Sequence, residues 1–154
     1  MPAAPSLANQ VADAVVTLLG AIDNVADPDT WLTKPQTVGR LLQASAITIE
    51  PRPVIGVEII RFADTLGSAG RHETEVQIGV QLIVEDDVNA EKVLNALARD
   101  VILQLRSDER LGGLLKQPIG NVEYSPDLEL MFTHQIGYAL VSFTAQARTE
   151  HSAP

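Results

Sequence analysis

Histidines, serines and close-set acids are the side chains from which a reaction or a ligand site could be built, and here their spacing argues against one. His72, Glu73 and Glu75 are near enough to suggest a metal cluster. In an extended strand, however, Glu73 and Glu75 share one face and His72 takes the other, and two carboxylates without an imidazole beside them make a poor transition-metal site. A solvated strand edge is the better reading. His134 and His151 have no partner at ligand spacing. Gly67-Ser68-Ala69-Gly70-Arg71 has the glycines of a phosphate loop but not its Lys-Ser/Thr ending, and it falls between strands instead of before a helix whose amides could hold an anion. Asp86 and Asp87 are not followed by the glycine and closing glutamate of an EF-hand, so helix capping explains them better. Ser45, Ser68, Ser107, Ser125 and Ser142 show no Gly-x-Ser-x-Gly elbow. No catalytic, cofactor or metal site is expected, and the chain reads as a non-enzyme. Trp31, the single tryptophan, sits among Asp29, Thr30, Thr33 and Lys34 and is either a core plug or an interface anchor.

Composition bounds the rest. The 154 residues suit one domain, and a chain of this size buries roughly 70% of the surface its unfolded form exposes. Hydrophobic residues make up 45% and aromatics only 4%, so the core must be aliphatic. The absence of cysteine removes disulfides, thiolate nucleophiles and cysteine zinc sites, and it is compatible with a reducing cytoplasm. A formal charge of −9 argues against tight nucleic-acid binding, which needs Lys and Arg to neutralise phosphates. The longest apolar stretch, 15–22, is broken by Thr17 and Gly20 and is too short to span a bilayer, and the N-terminus has no signal-like region. A soluble chain without a targeting segment is expected.

The elements follow from periodicity. Residues 1–5 form a loose lead-in, 6–148 one α+β domain, and 149–154 a flexible tail. Ser6 is placed to cap a helix with Leu7, Val11, Val15, Leu18, Leu19 and Ile22 on one side, ended by Asp27-Pro28-Asp29. A short helix is expected at 37–44 and a strand at 54–62. The long segment 63–72 then reads as a mobile hairpin loop. Over 74–85, Val76, Ile78, Val80, Leu82 and Val84 alternate with Glu75, Gln77, Gln81 and Glu85, which predicts a half-buried strand with Gln81 on its wet face. A helix follows, capped by Asp87 or Asn89, with Leu94, Leu97, Val101 and Leu105 as its buried stripe flanked by Ala98 and Ile102. It ends before Gly112-Gly113. A strand at 119–124, a turn at 125–127 and a last strand over 132–148 complete the order α-β-β-α-β-β. In that last strand Ala139, Val141, Phe143, Ala145 and Ala147 share a face. The fold class is a mainly antiparallel four-stranded sheet packed against two main helices.

This organisation resembles the tail terminator (tail completion) proteins of long-tailed bacteriophages. The resemblance covers roughly residues 6–148. It rests on the strand ending Val80-Gln81-Leu82-Ile83-Val84-Glu85-Asp86-Asp87, the helix opening Val88-Asn89-Ala90-Glu91-Lys92-Val93-Leu94, and the segment 127–143. It implies a structural protein of the virion, assembled in the host bacterial cytoplasm, forming a homo-oligomeric ring of six copies at the junction of tail and neck. The implied partners are the tail tube protein and a head-completion or neck protein, with genome DNA passing through the channel without tight binding and no membrane involved. Asp64, Leu66, Arg71 and His72 would form a subunit-contact loop. Two other readings stay open: another head–tail junction or minor tail protein, and a ferredoxin-like dimer that binds a small ligand.

Overall fold

The computed structural model describes residues 6–42, 47, 51–66, 72–85 and 87–148, with the backbone alone at Thr65, Leu66, His72 and Arg148. The expected lead-in and tail lie outside them. The described elements are α1 (Leu7–Leu19), β1 (Thr37–Arg40), β2 (Val54–Leu66), β3 (His72–Glu85), α2 (Ala90–Ser107), β4 (Glu123–Pro126), α3 (Leu128–His134) and β5 (Ile136–Arg148). The class is α+β, but the sheet has five strands and is mixed, in the order β1-β2-β3-β5-β4, with β1 parallel to β2 and every other pair antiparallel.

The expected buried face of β3 is buried throughout: Val76, Ile78, Val80, Leu82 and Val84 all lie in the main core. They pack with Ala139, Val141, Phe143, Ala145 and Ala147 of β5 beneath Val11, Val15 and Leu19 of α1 and Leu94, Leu97, Val101 and Leu105 of α2. The 3.6-residue stripe of each helix meets the two-residue alternation of the strands, which is why a short sequence window was enough to find both. Ser6 caps α1 as expected, its hydroxyl accepting from the Asn9 amide at 3.2 Å. Asp87 accepts from the Asn89 amide at 2.7 Å ahead of α2.

Several boundaries differ from the expectation. Helix α1 stops at Leu19 with Gly20 as C-cap, well before Asp27-Pro28-Asp29. Residues 37–40 form an edge strand and not a helix. Thr37 and Val38 are β-branched, and the Pro53 carbonyl accepts from the Gln36 and Thr37 amides, so pairing with β2 outweighs a weak helical pattern. Arg40 then ties β1 to α1 by donating to Asp13 at 2.9 Å and Asn9 at 3.1 Å. Of the expected mobile loop at 63–72, residues 63–66 and 72 are strand, since β2 and β3 pair as far as Leu66 opposite His72, and 67–71 lie outside the described residues. Residues 128–134 form α3, where the expectation began the last strand at 132. Asp127, expected in a turn, caps α3 by accepting from the Leu130 amide at 3.0 Å, and Gln135 leaves the helix at φ 53°. The short strand β4 begins at Glu123, not at 119.

The far face of the sheet is the largest departure. Val54, Ile83, Ile136 and Tyr138 form a second buried cluster there, with Leu41, Ile47, Leu130 and Met131 packed against it. Gln81, expected to be wet, is fully buried in this layer. Its Nε2 donates to the Leu41 carbonyl at 2.9 Å, and its Oε1 accepts from the Tyr138 hydroxyl at 3.2 Å. A buried amide is tolerated because both of its ends find partners. Gln81→Asp is therefore destabilising instead of neutral, since the carboxylate has no proton to offer Leu41.

Close approach accounts for one glycine. A Cβ at Gly137 would lie 2.5 Å from Cγ2 of Val84 and 3.2 Å from Cβ of Ala90. Gly137→Ala should lower stability by roughly 1–3 kcal/mol, the usual cost of overfilling a packed site, as read from urea unfolding.

Candidate functional site

The loop between α1 and β1 is long, and hydrogen bonds hold it in place. Asp23 accepts from the Val25 and Ala26 amides, and these bonds, Ala26 first, hold its carboxyl below the ordinary carboxylate range. Asn24 binds across the loop to Leu32 and Thr33. The main anchor is Asp100, a fully buried carboxylate on α2. It accepts from the Leu32 amide at 3.0 Å, the Thr33 amide at 2.8 Å, the Thr33 hydroxyl at 2.6 Å and Arg99 at 2.8 Å. Arg99 also donates to the Thr30 carbonyl at 2.6 Å. With its oxygens so occupied, Asp100 clamps a loop and has no free oxygen positioned as a catalytic base. Trp31 lies within this clamped loop, half-buried with its side chain packed against the main core. The sequence signal for Asp100 is one acid at the buried spacing of α2, three residues after Leu97 and next to Val101.

The residues expected to form a subunit-contact loop have a different setting. Asp64 and Leu66 belong to β2 and His72 to β3, while Arg71 lies outside the described residues, as does the glycine-rich segment 67–70. Asp64 accepts from the Thr74 hydroxyl across the strand pair at 3.2 Å. β1 pairs only with residues 54–57 of β2, so residues 58–66 run on past it as a sheet edge of about 30 Å at roughly 3.4 Å per residue, backed by β3 and β5 along its length. A register shift between Ile59 and Arg61 bulges this edge, which, with the charge on Arg61, discourages open-ended strand pairing along it. Phe62 lies on the helix-side face, paired with buried Val76, yet it is 59% exposed because it stands at the sheet edge.

Just past the end of β1, Glu58 borders a concavity with Arg40, Leu41, Leu42 and Ile59. Burial pushes its carboxyl above the ordinary range. The folded state therefore holds the proton more tightly than the unfolded chain, and stability falls as pH rises through the window between the unfolded pKa and the raised one. Glu58→Gln should raise the melting temperature at neutral pH, and the gain should vanish below the unfolded pKa. Thermal melts of both proteins across acidic pH check this.

A second concavity lies at the other edge of the sheet, beside β4. Ala90, Leu94 and Asn95 of α2, Tyr124 of β4, and Leu128 and Met131 of α3 line an apolar pocket of about 330 Å³. Desolvation, with Glu91 nearby, pushes the Tyr124 hydroxyl up, as expected at a largely dry wall. Leu128 on the rim is 64% exposed and Phe132, one helical turn on, is 85% exposed. Surface of this kind marks contact with another molecule more often than chemistry. Among the described residues no three metal-ligating side chains converge, and His134 closes α3. No helix among them is long and apolar enough to cross a membrane.

No protein-family model matches the chain, and no curated protein matches it in sequence. The functional reading rests on the exposed edge of β2, the pocket and the residues that set them.

Proposed function

We propose that this chain is a non-enzymatic structural subunit of a phage virion, a tail terminator whose copies form a ring, six in number, on the end of the tail tube. The observation that carries the reading is the long edge of β2 beyond β1, which bears the exposed Phe62 on a sheet that β3 and β5 continue, on a body whose one buried carboxylate among the described residues is fully engaged in holding a loop. Such an edge suits side-chain contact with a neighbour. A tube end imposes rotational symmetry, which heterologous contacts satisfy by closing a ring. The remaining partners in this reading are the tail tube protein, a head-completion or neck protein, and DNA that passes without tight binding, in keeping with the acidic balance. Purified protein added to tail tubes and viewed by electron microscopy should show a sixfold ring at one tube end. Tubes that remain bare, or a stable twofold dimer that never joins them, would refute it.

The apolar pocket favours a second reading. Its volume lies within the roughly 300–1,000 Å³ of small-molecule sites, and Tyr124 and Asn95 add polar groups to its wall. On this reading the chain is a small-ligand-binding protein. A thermal-shift screen with small amphipathic ligands should then raise the melting temperature, and Leu128→Trp, on the exposed rim of the pocket, should reduce the rise.

A further inference from the structure

Along α2 the residues Ala90, Glu91, Leu94 and Asn95 recur one turn apart, so they share the helix face that borders β4 and α3. That face closes around the apolar pocket with Tyr124, Pro126, Leu128 and Met131. Leu94 is buried in its wall, Tyr124 and Met131 are half-buried, and Glu91 and Leu128 are exposed at the rim. Among the described residues, Glu91 is the one charged side chain that lines it. We infer that the pocket binds a small amphipathic cation, an ammonium group on an apolar body. Glu91 and Tyr124 hold the cation at the rim, and Leu94, Leu128 and Met131 pack against the body. The inference deepens the small-ligand reading and rests on it, and it holds whether or not copies of the chain also form a ring.

Three observations set the sign and shape of the ligand. The first is the charge. No hydrogen bond or ion pair engages the Glu91 carboxylate among the described residues, and Lys92, next along the chain, lines a separate concavity with Lys34. The second is the aromatic beside it. Desolvation first, and then the charge of Glu91, push the Tyr124 hydroxyl up, which puts carboxylate and phenol within electrostatic reach of each other. Together they recognise an ammonium group, the carboxylate by charge and the ring through its negative face. The third is depth. A cation at the exposed rim keeps much of its hydration and escapes the cost of full burial, while the apolar body inside leaves water. An anion of the same shape would meet Glu91 as a like charge, and a neutral head group would gain nothing from it.

The test uses three matched sets of small ligands, with phenyl, cyclohexyl and linear alkyl bodies, each set carrying an amine, a hydroxyl or a carboxylate on the same chain. Calorimetric titration at neutral pH is run at about 0.15 M salt, where a Debye length of about 8 Å screens the diffuse field of an acidic protein. In the set that fits best, the amine should bind about tenfold more tightly than the alcohol, as one partly desolvated cation contact allows, and the carboxylate more weakly than both. Glu91→Gln keeps the size of an exposed side chain and should bring the amine level with the alcohol. Leu128→Trp should weaken all three alike. An alcohol or carboxylate that binds as well as the amine overturns this inference and leaves the small-ligand reading standing. An amine preference that survives in Glu91→Gln also overturns it, since the preference would then come from the acidic surface at large. Failure of every ligand to bind at millimolar concentration defeats the small-ligand reading, and this inference with it.

Discussion

Val80→Asp should leave no folded protein. Val80 is fully inaccessible in the central part of β3, flanked by Val57 and Val141 on the neighbouring strands, with α1 and α2 completing the same core. A carboxylate placed there has no cation or donor to meet it, and leaving a charge buried and unpaired costs several kcal/mol even after relaxation. The loss of valine packing adds to that, and the total is comparable with the whole stability of an ordinary domain, about 5–15 kcal/mol. Circular dichroism of the variant should show loss of the cooperative melt, with aggregation on expression. A melting temperature within a few degrees of the parent would mean that the core face of β3 is wrongly assigned.

Asp100→Ala should cost about 3–5 kcal/mol, the range for removing one partner from a buried charged network. The substitution strands the Leu32 and Thr33 amides and the Thr33 hydroxyl inside the protein and takes from Arg99 one of its two acceptors. Asp100→Asn should recover only part of this, because an amide presents one acceptor oxygen and turns a second donor toward amides that are donors themselves. Urea unfolding measures the loss. Hydrogen exchange at Leu32 and Thr33 tests the mechanism, since protection there should fall further than in α1. A cost under about 1 kcal/mol would place Asp100 among ordinary surface-like positions and remove the clamp as the reason the loop is ordered.

The two positions differ in how they could be read beforehand. Val80 belongs to a period-two run and Leu97 to a 3.6-residue stripe, and such patterns are local, so β3, β5 and the buried faces of α1 and α2 were legible residue by residue. Asp100 lies in the same kind of stripe, but its role depends on amides sixty-seven and sixty-eight positions earlier. No window around it contains its partners. For the contact loop, Asp64 and Leu66 read as loop residues because glycines follow at 67 and 70, whereas strand pairing carries β2 and β3 on to Leu66 and His72. Phe132 reads as the start of a strand because Asp127 looks like a turn residue. Its carboxylate instead caps α3, and a cap and a turn use the same side-chain chemistry.

By itself the sequence determined that this is an acidic, cysteine-free α+β chain with a mainly aliphatic core, because charge, composition and hydrophobic period are properties of residues and their near neighbours. Only the tertiary structure decided that β1 is a parallel edge strand, that Gln81 is buried between Leu41 and Tyr138, and that Phe62 on β2 and the apolar pocket beside β4 stand toward opposite edges of the sheet. Those depend on which distant segments come together, and that choice is set by the summed burial and hydrogen bonding of the whole chain.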